Sequence, residues 1–245
     1  MNKILFFNPK AAESKARVPN SILSIAAAVE GKYDYAIVDG NLEKDPLKVL
    51  LSYLASGDYH VFACTVMPGP QLKQAIPFAK EIRKKYPYVK IVWGGYFASN
   101  HSQVSINSGY IDYIIYGPGD VAFPMLMDAI KSNSSLQNIP NLIFKENNSI
   151  VKTKKDELYD QDLLPPLPYE KLDSFYPMRK YMGKSILGAK TFAYHSSVGC
   201  PFKCAFCGVV PIYNARWRGR SAEKIYDDIK EVKEKYGIDA VRTKT

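Results

Sequence analysis

Short runs of β-branched and aromatic residues alternate, from the start of the chain, with stretches in which apolar side chains return every three or four positions. The first kind of run buries a pleated strand and the second lays an apolar stripe along a helix, so the alternation predicts parallel strands joined by crossover helices. Strands are expected over 4–8, 35–38, 61–66, 90–93 and 113–116, each running into a turn signal. The helices between them are marked by their ends. Asn20 precedes the apolar positions of 22–29 and Gly31 follows them; Asp45-Pro46 precedes Leu47, Leu50, Leu51 and Leu54, with Gly57 beyond. A third helix is expected over 71–86, and a fourth over 121–131, with Asp120 as its cap and Pro124 in its first turn. Five strands with their helices make an α/β, flavodoxin-like doubly wound parallel sheet, a fold that binds ligands at the carboxyl ends of its strands.

The loops at those ends are Asn8-Pro9-Lys10, Asp39-Gly40-Asn41, Met67-Pro68-Gly69-Pro70, Gly94-Gly95-Tyr96 and Gly117-Pro118-Gly119-Asp120. Glycine there lets backbone approach a ligand, although glycine also ends strands for conformational reasons alone. Residues 142–144 and 150–153, separated by Asn147-Asn148, predict a β-hairpin. Pro165-Pro166-Leu167-Pro168 forbids a regular element and predicts a semi-rigid linker, which sets the domain boundary. Beyond it a strand is expected over 191–198, then a loop over 199–220. A helix capped by Ser221 follows and ends at Gly237, with a further strand over 238–241. The expected division is 1–140, 141–190 and 191–245.

Composition narrows the class of protein. In 245 residues, 47% are hydrophobic and 23% charged, ordinary values for a globular chain. No run approaches the roughly 18–20 apolar residues of a membrane-spanning helix, and the opening run from Met1 to Pro9 is too short for a signal peptide. The expectation is a cytoplasmic protein without a membrane span. The net charge of +9 is spread along the chain, so solvated lysines account for it and no nucleic-acid partner is expected.

The cysteines carry more information. Cys64 stands alone in an apolar run, whereas Cys200, Cys204 and Cys207 form a C-x3-C-x2-C set between a predicted strand and a predicted helix. Three close thiols in a chain with no secretory signal point to a metal or cluster site rather than a disulfide framework. Closing a zinc site, or saturating a four-iron cluster, would need a fourth ligand. His195 and Cys64 are candidates, yet a strand histidine and a cysteine in an apolar strand are more often packing residues. Left as three, the thiolates would leave one iron open to a substrate or cofactor. Arg216-Trp217-Arg218-Gly219-Arg220 could hold a carboxylate or phosphate, or could serve a structural loop.

The cysteine motif, with Phe206 just before its third cysteine and a strand ahead of it, resembles the radical S-adenosylmethionine (SAM) superfamily. The whole layout, from doubly wound domain through hairpin and proline linker to cysteine loop, resembles its cobalamin-binding members. The resemblance implies a B12-binding domain followed by the start of a radical SAM (β/α) barrel. It implies that Cys200, Cys204 and Cys207 ligate a [4Fe-4S] cluster whose open iron chelates SAM, with Phe206 near the adenine. An electron from the cluster would cleave SAM to methionine and a 5′-deoxyadenosyl radical, the protein supplying orientation and water exclusion. Cobalamin would lie against Asn8, Pro9, Thr65, Met67, Gly94, Gly95, Tyr96, Gly117 and Gly119. Methyl transfer to an unactivated carbon of a small-molecule or natural-product substrate is the implied reaction, with flavodoxin or ferredoxin as electron donor. A noncatalytic ligand-binding module with a vestigial cysteine loop, or a small zinc protein, would be the other readings.

Three features depart from the family pattern. No histidine follows the first strand, so cobalamin would bind without a lower axial histidine. Asp58-Tyr59-His60 imitates the usual motif at the wrong edge of the sheet, and His101 follows the fourth strand in a loop. Gly117-x-Gly119 is followed by Asp120 where relatives carry glutamate. Finally, an eight-unit barrel takes about 250 residues, whereas 38 residues follow Cys207. The expectation is a truncated barrel with little turnover of its own.

Overall fold

The computed structural model describes residues 3–11 and 16–244. Met1, Asn2 and Thr245, which belong to the opening run and to the last expected segment, lie outside the described residues. Five parallel strands, β1 (Lys3–Asn8), β2 (Tyr35–Asp39), β3 (Tyr59–Thr65), β4 (Lys90–Gly94) and β5 (Tyr113–Ile115), form one continuous run of a seven-stranded sheet, with β2 at its edge. The hairpin strands β6 (Leu142–Glu146) and β7 (Ser149–Lys152) extend it, in the order β2-β1-β3-β4-β5-β6-β7. The hairpin is therefore part of the sheet: β6 pairs antiparallel with β5, Ile114 opposite Ile143. Asn147 and Asn148 at its tip both take positive φ, as a tight two-residue turn demands.

Alternation along β1 explains the layering. Ile4 and Phe6 face one side with α1 (Asn20–Val29) and α6 (Ala122–Ser132). Leu5 and Phe7 face the other, with α2 (Pro46–Ala55) and α3 (Leu72–Lys85). Gly94 leads straight into two short helices that periodicity did not predict, α4 (Gly95–Asn100) and α5 (Ser102–Ile106). At six and five residues they are too short to show a helical apolar repeat.

The chain then crosses the sheet through α7 (Tyr169–Phe175) and reaches β8 (Thr191–His195) and β9 (Ser197–Gly199). The single strand expected over 191–198 is thus broken at Ser196. β8 pairs in parallel with β11 (Ala240–Lys244), while β9 pairs antiparallel with β10 (Trp217–Gly219). The expected loop 199–220 consequently holds β10 and a short helix, α8 (Val210–Tyr213). α9 (Ala222–Tyr236) joins β10 to β11, capped by the Ser221 hydroxyl at 3.2 Å from the Lys224 amide and ended by Gly237 in the left-handed region. Phe192 and Tyr194 of β8, with Val232 of α9, pack into the same apolar cluster as Ile4 and Phe6. No described helix is long and apolar enough to cross a membrane.

Candidate functional site

The cysteine loop hangs between β9 and β10. The Cys200 amide donates to the Arg216 carbonyl at 2.9 Å, closing the loop at its base, and Gly199 has φ +80°. A side chain at Gly199 would collide with that same carbonyl, so the turn into Cys200 requires glycine. Cys204 and Cys207 are joined by a turn in which the Cys207 amide donates to the Cys204 carbonyl at 3.1 Å. All three thiols are free; Cys204 is exposed, and Cys200 and Cys207 are half-buried. Phe206 is 93% exposed, standing off the surface beside them. Among the described residues no three His, Cys, Asp or Glu side chains are gathered to hold a metal ion, so the loop brings its thiols to one exposed segment without closing them around a centre. Three thiols on one solvent-facing loop are nevertheless a donor set that suits iron-sulfur ligation.

The loop is docked onto the carboxyl edge of the sheet. Asn100 Nδ2 donates to the Gly208 carbonyl at 3.0 Å, and the Tyr96 hydroxyl fills the space where a Gly208 side chain would be. Lys155 Nζ donates to the carbonyls of Pro211 and, at 2.8 Å, Ile212 in α8. Burial, reinforced by Lys152 and Arg216, pushes the Lys155 ammonium down to about 8. The arginine segment is structural: Arg216 donates to the Asp156 carbonyl at 2.8 Å and Arg218 to Asp160 at 2.8 Å. Arg220 reaches Asp228 at 2.6 Å, and Tyr194 shares that carboxylate.

Between the sheet and this docked segment lies a cavity of about 270 Å³. Thr65, Gly94, Gly95, Gly117 and Gly119 line it from the strand ends; His195, Val198 and Tyr213 line it from around the cysteine loop. Gly95, at φ +86°, is held so close to Val66 that a Cβ would sit 3.0 Å from its amide nitrogen. The other expected contacts are placed elsewhere. The Asn8 side chain donates to Asp39 at 3.1 Å, the Pro9 carbonyl accepts from Gln71 at 3.0 Å, and the Met67 amide donates to Gln71 at 2.7 Å. Tyr96 serves the docking contact just described. Asp120 is not a helix cap, because α6 begins at Ala122 without a side-chain cap; it accepts instead from the Ser24 hydroxyl inside the cavity wall. Cys64, 3% exposed, has its thiol pushed well up by burial, consistent with a packing residue. His60 sits at the amino end of β3 against Tyr88, and His101 lies tilted against Phe97. Neither lines the cavity.

Sequence reasoning missed the α1 wall, Asn20, Ser21, Ser24 and Ile25, together with Leu158 and Gln161 of the linker. A signal was present in α1: polar Asn20, Ser21 and Ser24 interrupt an otherwise apolar helix at the end that must lie beside the strand carboxyl termini.

Solved structures share this fold. TsrM from Kitasatospora setae, a radical SAM methyltransferase with cobalamin and a [4Fe-4S] cluster bound, matches 100% of this chain and 49% of its own, with TM-score 0.76 and 19% identity. OxsB, a cobalamin-dependent SAM radical enzyme with aqua-cobalamin and SAM bound, matches 97% of this chain and 33% of its own, with TM-score 0.78 and 16% identity. The fold is that of the cobalamin-dependent radical SAM enzymes. Among curated proteins, an uncharacterized methyltransferase of Pyrococcus horikoshii is 26% identical over 244 residues, 96% of this chain and 51% of its own length. The hopanoid C-3 methylase of Methylococcus capsulatus is 24% identical over 230 residues, 91% of this chain and 39% of its own. The chain thus spans about half or less of the length of these relatives, and no family model matches it. Within the cobalamin-dependent radical SAM fold, the cavity lies where the sheet domain meets the strands that flank the cysteine loop.

Proposed function

We propose that this chain carries the corrinoid-binding and cluster-binding parts of a radical SAM methyltransferase. The observation that supports it is a cavity lined both by the glycine loops of the strand ends and by residues flanking C-x3-C-x2-C. Residues 1–140 would form the corrinoid domain, 141–190 the hairpin and linker, and 191–245 the first unit of the barrel. Cys200, Cys204 and Cys207 would hold a [4Fe-4S] cluster with one iron left for SAM, and Phe206 would cover the adenine. Bound there, the cluster would supply the electron that cleaves SAM and the cobalamin would carry the methyl group. The chain's own residues do the rest. Gly94, Gly95, Gly117 and Gly119 let ligand approach the backbone, and Lys155, Asn100 and Arg216 fix the cysteine loop over the strand ends. No histidine follows β1, so the loop Asn8-Pro9-Lys10 would offer the corrinoid no histidine ligand. Because the chain spans about half or less of the length of the relatives it matches, the 245 residues alone should turn SAM over slowly. The substrate would be a small molecule, the electron donor a flavodoxin or ferredoxin.

Anaerobic reconstitution with iron and sulfide tests this reading. About four irons per chain are expected, with loss of the cluster in Cys204→Ala and a change in the electron paramagnetic resonance spectrum on adding SAM. Hydroxocobalamin should bind the same preparation, as seen in its visible spectrum. Iron-sulfur content untouched by Cys204→Ala would sink the cluster assignment. Cobalamin binding without a cluster would leave a noncatalytic binding module, and one zinc with no sulfide a zinc protein.

A further inference from the structure

Residues 183–191 form a tight excursion at the amino end of β8. Gly183 and Thr191 exchange backbone hydrogen bonds at 3.3 and 2.8 Å, and inside that bridge the Ser185 amide donates to the Gly188 carbonyl at 2.8 Å. The Asp239 carboxylate fixes the returning leg, accepting from the Ala189 amide at 3.0 Å and from the Lys190 amide at 2.8 Å. What this braced turn presents is apolar. Ile186 is fully exposed and Leu187 is 70% exposed, and neither joins an apolar cluster of the fold. A lone exposed apolar residue is ordinary. Two neighbours together at the apex of a held turn call for a partner that covers them.

The base of the turn is cationic. A cavity of about 560 Å³ opens there, lined by Arg179, Met182, Lys190 and Lys235, with Asp173 as the one carboxylate among its described lining residues. Lys235 pairs with Glu170, and Asp173 accepts from the Met178 amide at 2.6 Å, whereas the Arg179 guanidinium and the Lys190 ammonium have no carboxylate partner among the described residues. Lys180 and Lys184 stand exposed on the same segment, and the sequence has no aspartate or glutamate from Ser174 to Ala222. A soluble anion would satisfy this base and leave Ile186 and Leu187 in water; an apolar groove on a protein would cover the apex and leave the cations unmatched. A surface with anions outside and hydrocarbon beneath matches both. We propose that the turn docks the chain on an anionic membrane surface, Ile186 and Leu187 entering the acyl boundary while Arg179, Lys184 and Lys190 take lipid phosphates. The inference stands apart from the corrinoid reading. β8 carries Thr191 at this turn and His195 at the cofactor cavity, about 13 Å further along the strand.

The test is co-sedimentation of the full chain with phosphatidylcholine vesicles, prepared with and without phosphatidylglycerol. Binding is expected to the mixed vesicles and should be at least about tenfold weaker to phosphatidylcholine alone, because the basic groups act together on an anionic surface. Ile186→Ser combined with Leu187→Ser leaves the charge unchanged and should weaken partitioning at least about tenfold. Arg179→Gln combined with Lys190→Gln should weaken it about tenfold. Two controls separate docking from general adsorption of a chain with net charge +9. Lys131→Gln with Lys145→Gln removes the same charge elsewhere on the surface, and Val104→Ser removes an exposed apolar side chain elsewhere; both should bind within about threefold of wild type. All the changed side chains are exposed, so urea midpoints should match wild type. Controls that weaken binding as much as the site variants would mean diffuse adsorption and overturn the proposal, as would an Ile186→Ser, Leu187→Ser chain that binds like wild type. A chain that binds inorganic phosphate through Arg179 and Lys190 but no vesicles would make the pocket a soluble-anion site, and a chain that binds neither would equally overturn membrane docking.

Discussion

At Gly199 the backbone turns at φ +80°, a conformation that costs an L side chain roughly 1–3 kcal/mol, and the space beside it is already taken by the Arg216 carbonyl. That carbonyl also accepts from the Cys200 amide, so one residue sets both the turn and the direction in which the first thiol leaves the sheet. Gly199→Ala should therefore destabilise the chain by at least about 1–3 kcal/mol in urea unfolding. Its iron content after reconstitution should also fall. A variant with wild-type stability and iron content would mean that the β9–β10 base does not shape the cysteine loop. Glycines likewise serve two roles here. Gly95 and Gly117 line the cavity, whereas Gly208 is small because the Tyr96 hydroxyl stands over it.

Elements are decided by what happens at their ends. α9 starts where the Ser221 hydroxyl accepts from the Lys224 amide and stops at Gly237, both as the sequence predicts. Ser221→Ala should cost about 1 kcal/mol of stability, measured by the denaturant midpoint, since the cap satisfies a helix amide that would otherwise lack an intrahelical partner. No measurable loss would mean that tertiary contacts alone hold the first turn. Asp45 caps α2 in the same way, at 3.1 Å from the Lys48 amide. Asn20 and Asp120 looked equivalent in sequence, yet neither caps. Pro19 precedes α1 as its first flanking residue, Asn20 already lies within the helix, and Asp120 turns toward Ser24. A polar residue ahead of an apolar repeat marks a helix start only when no stronger partner claims its side chain.

At the scale of the whole molecule, the linker is held to the sheet through one buried carboxylate. Asp39 ends β2 fully buried; it accepts from Asn8 at 3.1 Å, from the Asn41 side chain at 2.7 Å and from the Tyr181 hydroxyl at 2.9 Å. The Tyr176 hydroxyl accepts from the Asp39 amide at 3.2 Å and donates to Glu43 at 2.7 Å. Burial pushes the Asp39 carboxyl above its ordinary value of 3.8, against the pull of those hydrogen bonds. A folded value above the unfolded one means the folded chain holds this proton more tightly. The stabilisation is full below the unfolded value and is lost as pH rises through the folded one. Asp39→Asn lacks the titration, so its stability relative to wild type should improve from about pH 4 to about pH 7, as read by urea midpoints at the two values. A relative stability that is flat or declines would refute this assignment. The sequence by itself determined the alternation of strands and helices, the caps of α2 and α9, and the cysteine spacing, because each is written in contiguous residues through periodicity, local hydrogen bonding or ligand chemistry. Only the tertiary structure decided that the hairpin continues the sheet, that the arginines serve the linker and α9, and that Asn20, Asp120 and His195 share a cavity with Thr65 and Gly94. Those pairings join residues far apart in the chain, and they are set by which faces and edges meet when the sheet and the cysteine-bearing segment bury their apolar surfaces together.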